Sequence, residues 1–223
     1  MAQMNGLTLQ LYHHPVYPIA EALPRSKRLA RTMMKTYRGH AITVFEPSAP
    51  LMELERDRGF EAGESFIELV HPELGMPGFW NVHVKQFVDA GWAVQHVLAS
   101  IMPYDKGGMI DSWAFMMEFA PQLVVVDDPT FALLGGISDS PDPRALDAKE
   151  LPPLQTWNWF SKRLVDKERL GMLKELGFYA IEPVGKGYVV QVVPDVYTKP
   201  SKEVLAATKA KGLTYKVPNP PKG

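Results

Sequence analysis

The chain has 223 residues, a formal net charge of −1 and no cysteine, which excludes disulfide staples and thiolate metal sites and gives no general attraction to nucleic acid or anionic membrane. With 46% hydrophobic and 22% charged residues it has the composition of a folded globular protein, and its length suits one domain over 1–223. The opening MAQMNGLTLQLYHH lacks the basic start and long apolar core of a secretory signal, no apolar run approaches the ~20 residues of a membrane helix, and the expected compartment is the cytoplasm.

Leu7 to Tyr12 alternates apolar and polar residues, the pattern of a half-buried strand, and Pro15 and Pro18 end it. A helix is expected over Glu21–Tyr37, with Pro24 near its first turn and Leu29, Met33 and Met34 on its buried face. Arg25, Lys27, Arg28, Arg31, Lys35 and Arg38 make this helix basic. Without a Gly-rich phosphate loop or stacking aromatics they read as a solvated face, with an anion or nucleic-acid surface as the alternative. Gly39 breaks the helix, and Ala41–Phe45 is a second strand.

Between Glu46 and Glu73 eight acidic residues (Glu46, Glu53, Glu55, Asp57, Glu61, Glu64, Glu68 and Glu73) stand against two basic ones, Arg56 and Arg58. This is the sharpest electrostatic feature of the chain, either a soluble surface or a surface for a basic partner. Ser65–Val70 and Trp80–Phe87 are expected strands, split by turn residues around Gly75, Pro77 and Gly78, and Ala90–Ile101 is another. Gly107-Gly108 precedes a helix over Met109–Phe119, with Met109, Trp113, Met116 and Met117 buried, and Pro121 marks its end. Leu123 to Val126 then reads as an internal strand or an extended packing segment.

Ile137–Pro153, rich in Pro, Asp and Ser, reads as a long surface loop. From Thr156, the positions Trp157, Phe160, Leu164, Leu170 and Leu173 fall at roughly helical spacing, so a helix is expected over Phe160–Leu176, weakened at Gly171 and stopped at Gly177. Gly185-Lys186-Gly187 supplies a tight turn and Tyr188–Val193 a strand. A helix over Ser201–Ala210, a brief Leu213–Val217 segment and a frayed tail after about residue 217 complete the chain. The expected fold is α+β: a twisted, mostly antiparallel sheet with helices Glu21–Tyr37, Met109–Phe119 and Phe160–Leu176 packed on it.

No catalytic motif emerges. His13, His14, His40, His71, His83 and His96 lack the spacing that places two metal ligands on one helical face. His71 and His83, on neighbouring expected strands, are positioned to meet across a hairpin near Glu68 or Glu73. Asp127-Asp128 resembles the carboxylate pair of a magnesium site, but Pro129 follows directly and no Gly-rich loop precedes it. There is no Gly-x-Ser-x-Gly elbow and no cysteine nucleophile. Trp80, Trp92, Trp113, Trp157 and Trp159 read as core. No catalytic residue, cofactor or metal is therefore expected.

A resemblance extends this reading. The order Trp157-Asn158-Trp159-Phe160, Leu164-Val165, a short helical run with Leu170 and Leu173, then Gly185-Lys186-Gly187-Tyr188-Val189-Val190-Gln191, resembles the C-terminal signature of the type VI immunity protein family. That family has a Trp-Leu-Thr-like opening, a Leu-Val-Glu-Arg-like helix and a Gly-Gly strand, and it is found beside toxins of bacterial secretion systems. Gly-Lys-Gly in place of paired glycines, and Asn158-Trp159 after the first Trp, depart from its pattern. The likeness covers most of the chain, weakly before Gly107. It implies a protein that is not an enzyme and that blocks the active site or substrate entry of a cognate toxin, with neither membrane nor nucleic acid as partner. The residues expected to meet the toxin are Glu53, Glu55, Asp57, Glu61 and Glu64, then Asp139 and Asp142 in the Ile137–Pro153 loop. The alternatives are an enzyme built on His71, His83, Asp127 and Asp128, or a ligand-binding domain using the basic helix.

Overall fold

A computed structural model of the chain describes residues 7–21, 24–25, 28–29, 32, 42–45, 52–55, 60–71, 76–87, 91–100, 106–136 and 141–216; from 42 to 112 it describes the backbone, with side chains only at 91–94. Ten strands form one sheet. They are β1 (Leu7–His13), β2 (Ile42–Phe45), β3 (Met52–Glu55), β4 (Phe60–His71), β5 (Met76–Phe87), β6 (Trp92–Ser100), β7 (Phe131–Gly136), β8 (Trp157–Ser161), β9 (Ala180–Val184) and β10 (Gly187–Gln191). Three helices with described bounds accompany them: α1 (Lys106–Asp127), α2 (Lys167–Lys174) and α3 (Lys202–Ala210). The strand order is β2-β4-β5-β6-β1-β7-β8-β10-β9, with β3 pairing β4 beside β2. Every pairing of named strands is antiparallel, which gives the α+β architecture expected.

The first strand lies in the middle of the sheet, between β6 and β7. All seven of its residues are buried, Thr8 and Gln10 included, so it is not the half-buried strand its alternation suggests. Both faces are covered. Leu7, Leu9 and Leu11 share one core with Trp113, Met116, Phe119, Leu123 and Val124 of α1 and with Trp157 and Trp159 of β8. On the other face Tyr12 stacks on Phe131 at 4.5 Å between ring centroids. That core continues through Phe160 and Val190 to Leu164, Val165, Leu173 and Leu176.

Two helix boundaries differ from the sequence reading. α1 runs through Pro121 to Asp127, so Leu123–Val126 is helical and not a strand. The buried positions Trp113, Met116, Phe119, Ala120, Leu123, Val124 and Asp127 keep helical spacing across the proline. Burial of that stripe outweighs the local β preference of three valines; Val125 and Val126 are left 52% and 38% exposed. Beside the proline, which has no N–H to donate, the Gln122 side-chain amide donates to the Glu118 carbonyl at 2.9 Å.

The second difference is β8. Trp157 to Ser161 is an interior strand between β7 and β10, and the helix that follows occupies only Lys167–Lys174, capped by the Asp166 carboxylate on the Arg169 N–H. Trp157 and Trp159 point to the α1 side and Phe160 to the other, a period of two in place of the helical spacing expected. β7 has no counterpart among the expected strands, and Pro77 and Gly78 lie inside β5 instead of in its turn.

Several expectations agree. The Gly185-Lys186-Gly187 turn joins β9 to β10, Gly177 ends its segment at φ 68°, and α3 begins at a Ser201 cap. Of the first expected helix, Pro24, Arg25, Arg28, Leu29 and Thr32 are helical, with Leu29 buried; Met33 and Met34 lie outside the described residues. Trp92, Trp113, Trp157 and Trp159 are core residues as expected.

Candidate functional site

The residues of the resemblance fall on β8, α2, the β9–β10 turn and β10. Gly187 lies under Trp159: a Cβ there would sit 2.5 Å from the indole and clash with the Phe160 carbonyl oxygen. Trp159 Nε1 donates to the Val184 carbonyl at 3.0 Å, tying β8 to the far strand of the hairpin. Asn158, fully buried, donates to the carbonyls of Gln155 and Val190, both at 2.9 Å, and accepts from the Gln155 N–H at 2.8 Å. Lys186, between the two glycines, pairs with the exposed Asp128 carboxylate at 2.6 Å. Asn158 and Lys186 thus both have structural partners here.

Asp127 and Asp128 do not form a magnesium-type pair. Asp127, at the end of α1, is bonded by His13 Nε2 at 2.6 Å and by Arg25 Nη1 at 3.3 Å. Burial opposes its charge, but the hydrogen bond and charge of His13, joined by Arg25, outweigh it and hold the carboxyl below its ordinary value. Arg25 also lies over the Tyr17 ring at 4.3 Å and reaches Glu21 at 3.3 Å. One member of the basic helix is therefore turned inward, while Arg28 is exposed; Lys27, Arg31, Lys35 and Arg38 lie outside the described residues. Among residues with described side chains, no three His, Asp or Glu gather as a metal ion requires.

The hairpin reading of His71 and His83 is corrected by register. His71 is opposite Met76, whereas His83 is opposite Glu64. Seven residues along β5 separate the two positions, roughly 24 Å at strand rise, and the odd offset puts them on opposite faces of the sheet. The enzyme alternative loses its four nominated residues as a convergent set: one histidine pair is split, and Asp127 and Asp128 hold different cations.

The acidic candidates fall at one end of the sheet. Glu53 and Glu55 of β3 are opposite Ala62 and Phe60, on the face that Glu64 shares. Glu61, opposite Leu54, is on the other face. Among the described strands β3 pairs with β4 alone, so Glu53 and Glu55 are on an edge strand, while Glu61 and Glu64 are on β4 next to it. Asp57 and Asp139 lie outside the described residues. Asp142 is exposed and caps a short 3-10 turn, with Arg144 Nη2 on its carboxylate at 2.8 Å; that bond is the main reason its carboxyl lies below the usual range.

Of the expected loop, residues 137–140 lie outside the described residues, and 141–153 carry one short 3-10 turn, Pro143–Ala145. Its described part is held to the body by Arg169, which donates to the Lys149 and Leu164 carbonyls, both at 2.6 Å. With Thr214 it borders a cleft of about 340 Å³ that Asp142, Asp147 and Glu150 line. Sequence reasoning nominates the first of these acids and misses the other two, because only the fold brings residue 214 against residues 141–153.

Among the described residues no helix is long and apolar enough to cross a membrane. No protein-family model matches the chain, and no curated protein matches it. Among solved structures, the Pseudomonas aeruginosa T6SS protein PA0821 is similar at 12% identity and a TM-score of 0.46, over 94% of this chain and 76% of that one.

Proposed function

We propose that this protein is an immunity protein: in the cytoplasm it binds a cognate antibacterial toxin, covers the toxin's active site and performs no chemistry of its own. One observation carries the reading. Glu53, Glu55 and Glu64, spread along the sequence, share one face of an edge strand and its neighbour. An acidic edge of this kind complements the basic cleft of an enzyme that acts on nucleic acids or nucleotides, and it steers association as well as adding affinity. The resemblance of Trp157–Gln191 to the immunity signature supports the same reading, and Asp142, Asp147 and Glu150 around the loop cleft offer a second acidic contact.

The test is co-expression with the toxin-like C-terminal domain encoded by an adjacent gene. Rescue of growth and co-purification are expected. Glu53→Lys with Glu55→Lys should weaken the complex at least about tenfold and slow association most at low salt, while Glu61→Lys, on the opposite face, should cost less. A toxin still lethal beside this protein would overturn immunity. A complex indifferent to the double reversal would remove this surface.

A further inference from the structure

We propose that β9 is a latent pairing edge for a second copy of this chain, and that Pro183 keeps it closed. Among the described strands β9 pairs with β10 alone, so it forms one end of the sheet. Which of its backbone groups face outward follows from the bonds of its neighbour. The Lys162 N–H donates to the Lys186 carbonyl and the Val192 N–H to the Thr156 carbonyl, both at 3.0 Å, and both pairs continue the register of β10 with β8. Successive residues of an antiparallel ladder turn their backbone groups to alternate sides. The even-numbered residues of β10 are therefore spent on β8, and Gly187, Val189 and Gln191 on β9. The partners of those three are Val184, Glu182 and Ala180, which leaves Ile181 and Pro183 facing away from the sheet.

At Pro183 the outward position has no N–H, and a ring stands where an added strand would bring its carbonyl. Pro183 is itself exposed, so core packing does not account for it. Its surroundings favour pairing. Tyr179, at the entry to β9, is 63% exposed, and Phe178, Ile181 and Tyr188 are half-buried. An antiparallel pairing of two copies about Ile181 sets Glu182 of each against Ala180 of the other, so no like charges are opposed. It also sets Tyr179 of each against Pro183 of the other. Side chains thus permit the contact and the backbone opposes it: by symmetry, Pro183 withholds a donor at both ends of the ladder.

The inference is independent of the toxin-binding reading and is tested on the full chain by itself. In sedimentation equilibrium, Pro183→Val is expected to rise with concentration towards twice the mass of wild type, while Gly171→Ala, in α2, keeps the wild-type mass. Hydrogen exchange locates the contact. In the wild type the Ile181 N–H should exchange freely while the Glu182 N–H, turned to β10, is protected; in Pro183→Val the Ile181 N–H should slow at least about tenfold at high concentration only. Pro183→Thr takes its place should the valine variant fail to fold. A protected Ile181 N–H in the wild type, measured without any variant, would mean that the edge is already covered and would overturn the proposal. So would an unchanged mass in the folded variant, or association that leaves the Ile181 N–H exchanging freely.

Discussion

His13, the last residue of the central strand, bonds the carboxylate of Asp127, the last residue of α1, at 2.6 Å between two nearly water-free side chains. The bond fastens the helix to the sheet at the point where the chain turns into β7. Its electrostatics have a defined sign. The folded carboxyl lies below its unfolded value, so Asp127 contributes stability above the ordinary carboxylate pKa near 3.9 and loses it as pH falls through the depressed value.

Asp127→Asn should therefore lower the urea midpoint near neutral pH, and the gap to wild type should narrow as pH falls below about 4. Chemical denaturation across that range measures it; a gap constant through the acid range would refute the linkage. Removing the partner, His13→Ala, should cost about 3 kcal/mol or more, since it strips a buried charge of its closest partner.

Gly187→Ala and Gly171→Ala form a matched pair. The first drives a methyl into the Trp159 indole and the Phe160 carbonyl, so a loss of about 1–3 kcal/mol or more is expected from overpacking. The second meets nothing within 4 Å inside α2 and should stabilise by about 0.5–1 kcal/mol through helix propensity. Melting temperatures of the two variants, moving in opposite directions, check both.

Asn158→Leu keeps the volume of a buried side chain but leaves the Gln155 N–H and the Gln155 and Val190 carbonyls without its amide. A loss of about 1–3 kcal/mol for each group left unpaired is expected. Faster hydrogen exchange at Gln155 would show that the damage begins at the β8 entry; unchanged exchange there would place it elsewhere.

Pro121→Ala restores a backbone donor in the middle of α1 without disturbing the buried stripe, because Pro121 is only partly buried. The helix is already formed through this position, so stability should rise, by at most about 3 kcal/mol. A fall in the melting temperature would mean that the ring itself fills a needed contact.

Elements with local signals are legible in the chain of residues alone. Leu7–Tyr12, the long strands β4, β5 and β6, the Gly185–Gly187 turn and the Ser201 helix all carry their own alternation, turn residues or cap. The boundaries of α1 and β8 are not legible in this way. Pro121 and three valines argue locally for a break and a strand, and the apolar spacing from Trp157 to Leu173 fits a helix as well as it fits a strand followed by a short helix. What decides both is the neighbour. α1 continues because Leu123 and Val124 have the leucines of β1 to cover, and Trp157 to Ser161 extends because β7 and β10 offer it backbone partners on both sides.

The same division holds for function. Composition, the acidic run from Glu46 to Glu73 and the order of residues from Trp157 to Gln191 are properties of the sequence itself, and they set the class of partner to be considered. Which acids share a face, that His71 and His83 part while His83 is opposed to His96 in register, and that Asp127 is spent on His13 and Arg25 were decided by strand register and by packing. The reason is physical. Period and charge are local and survive in a string of letters, whereas register follows from burying two faces of one sheet at once, and that condition joins residues far apart in the chain.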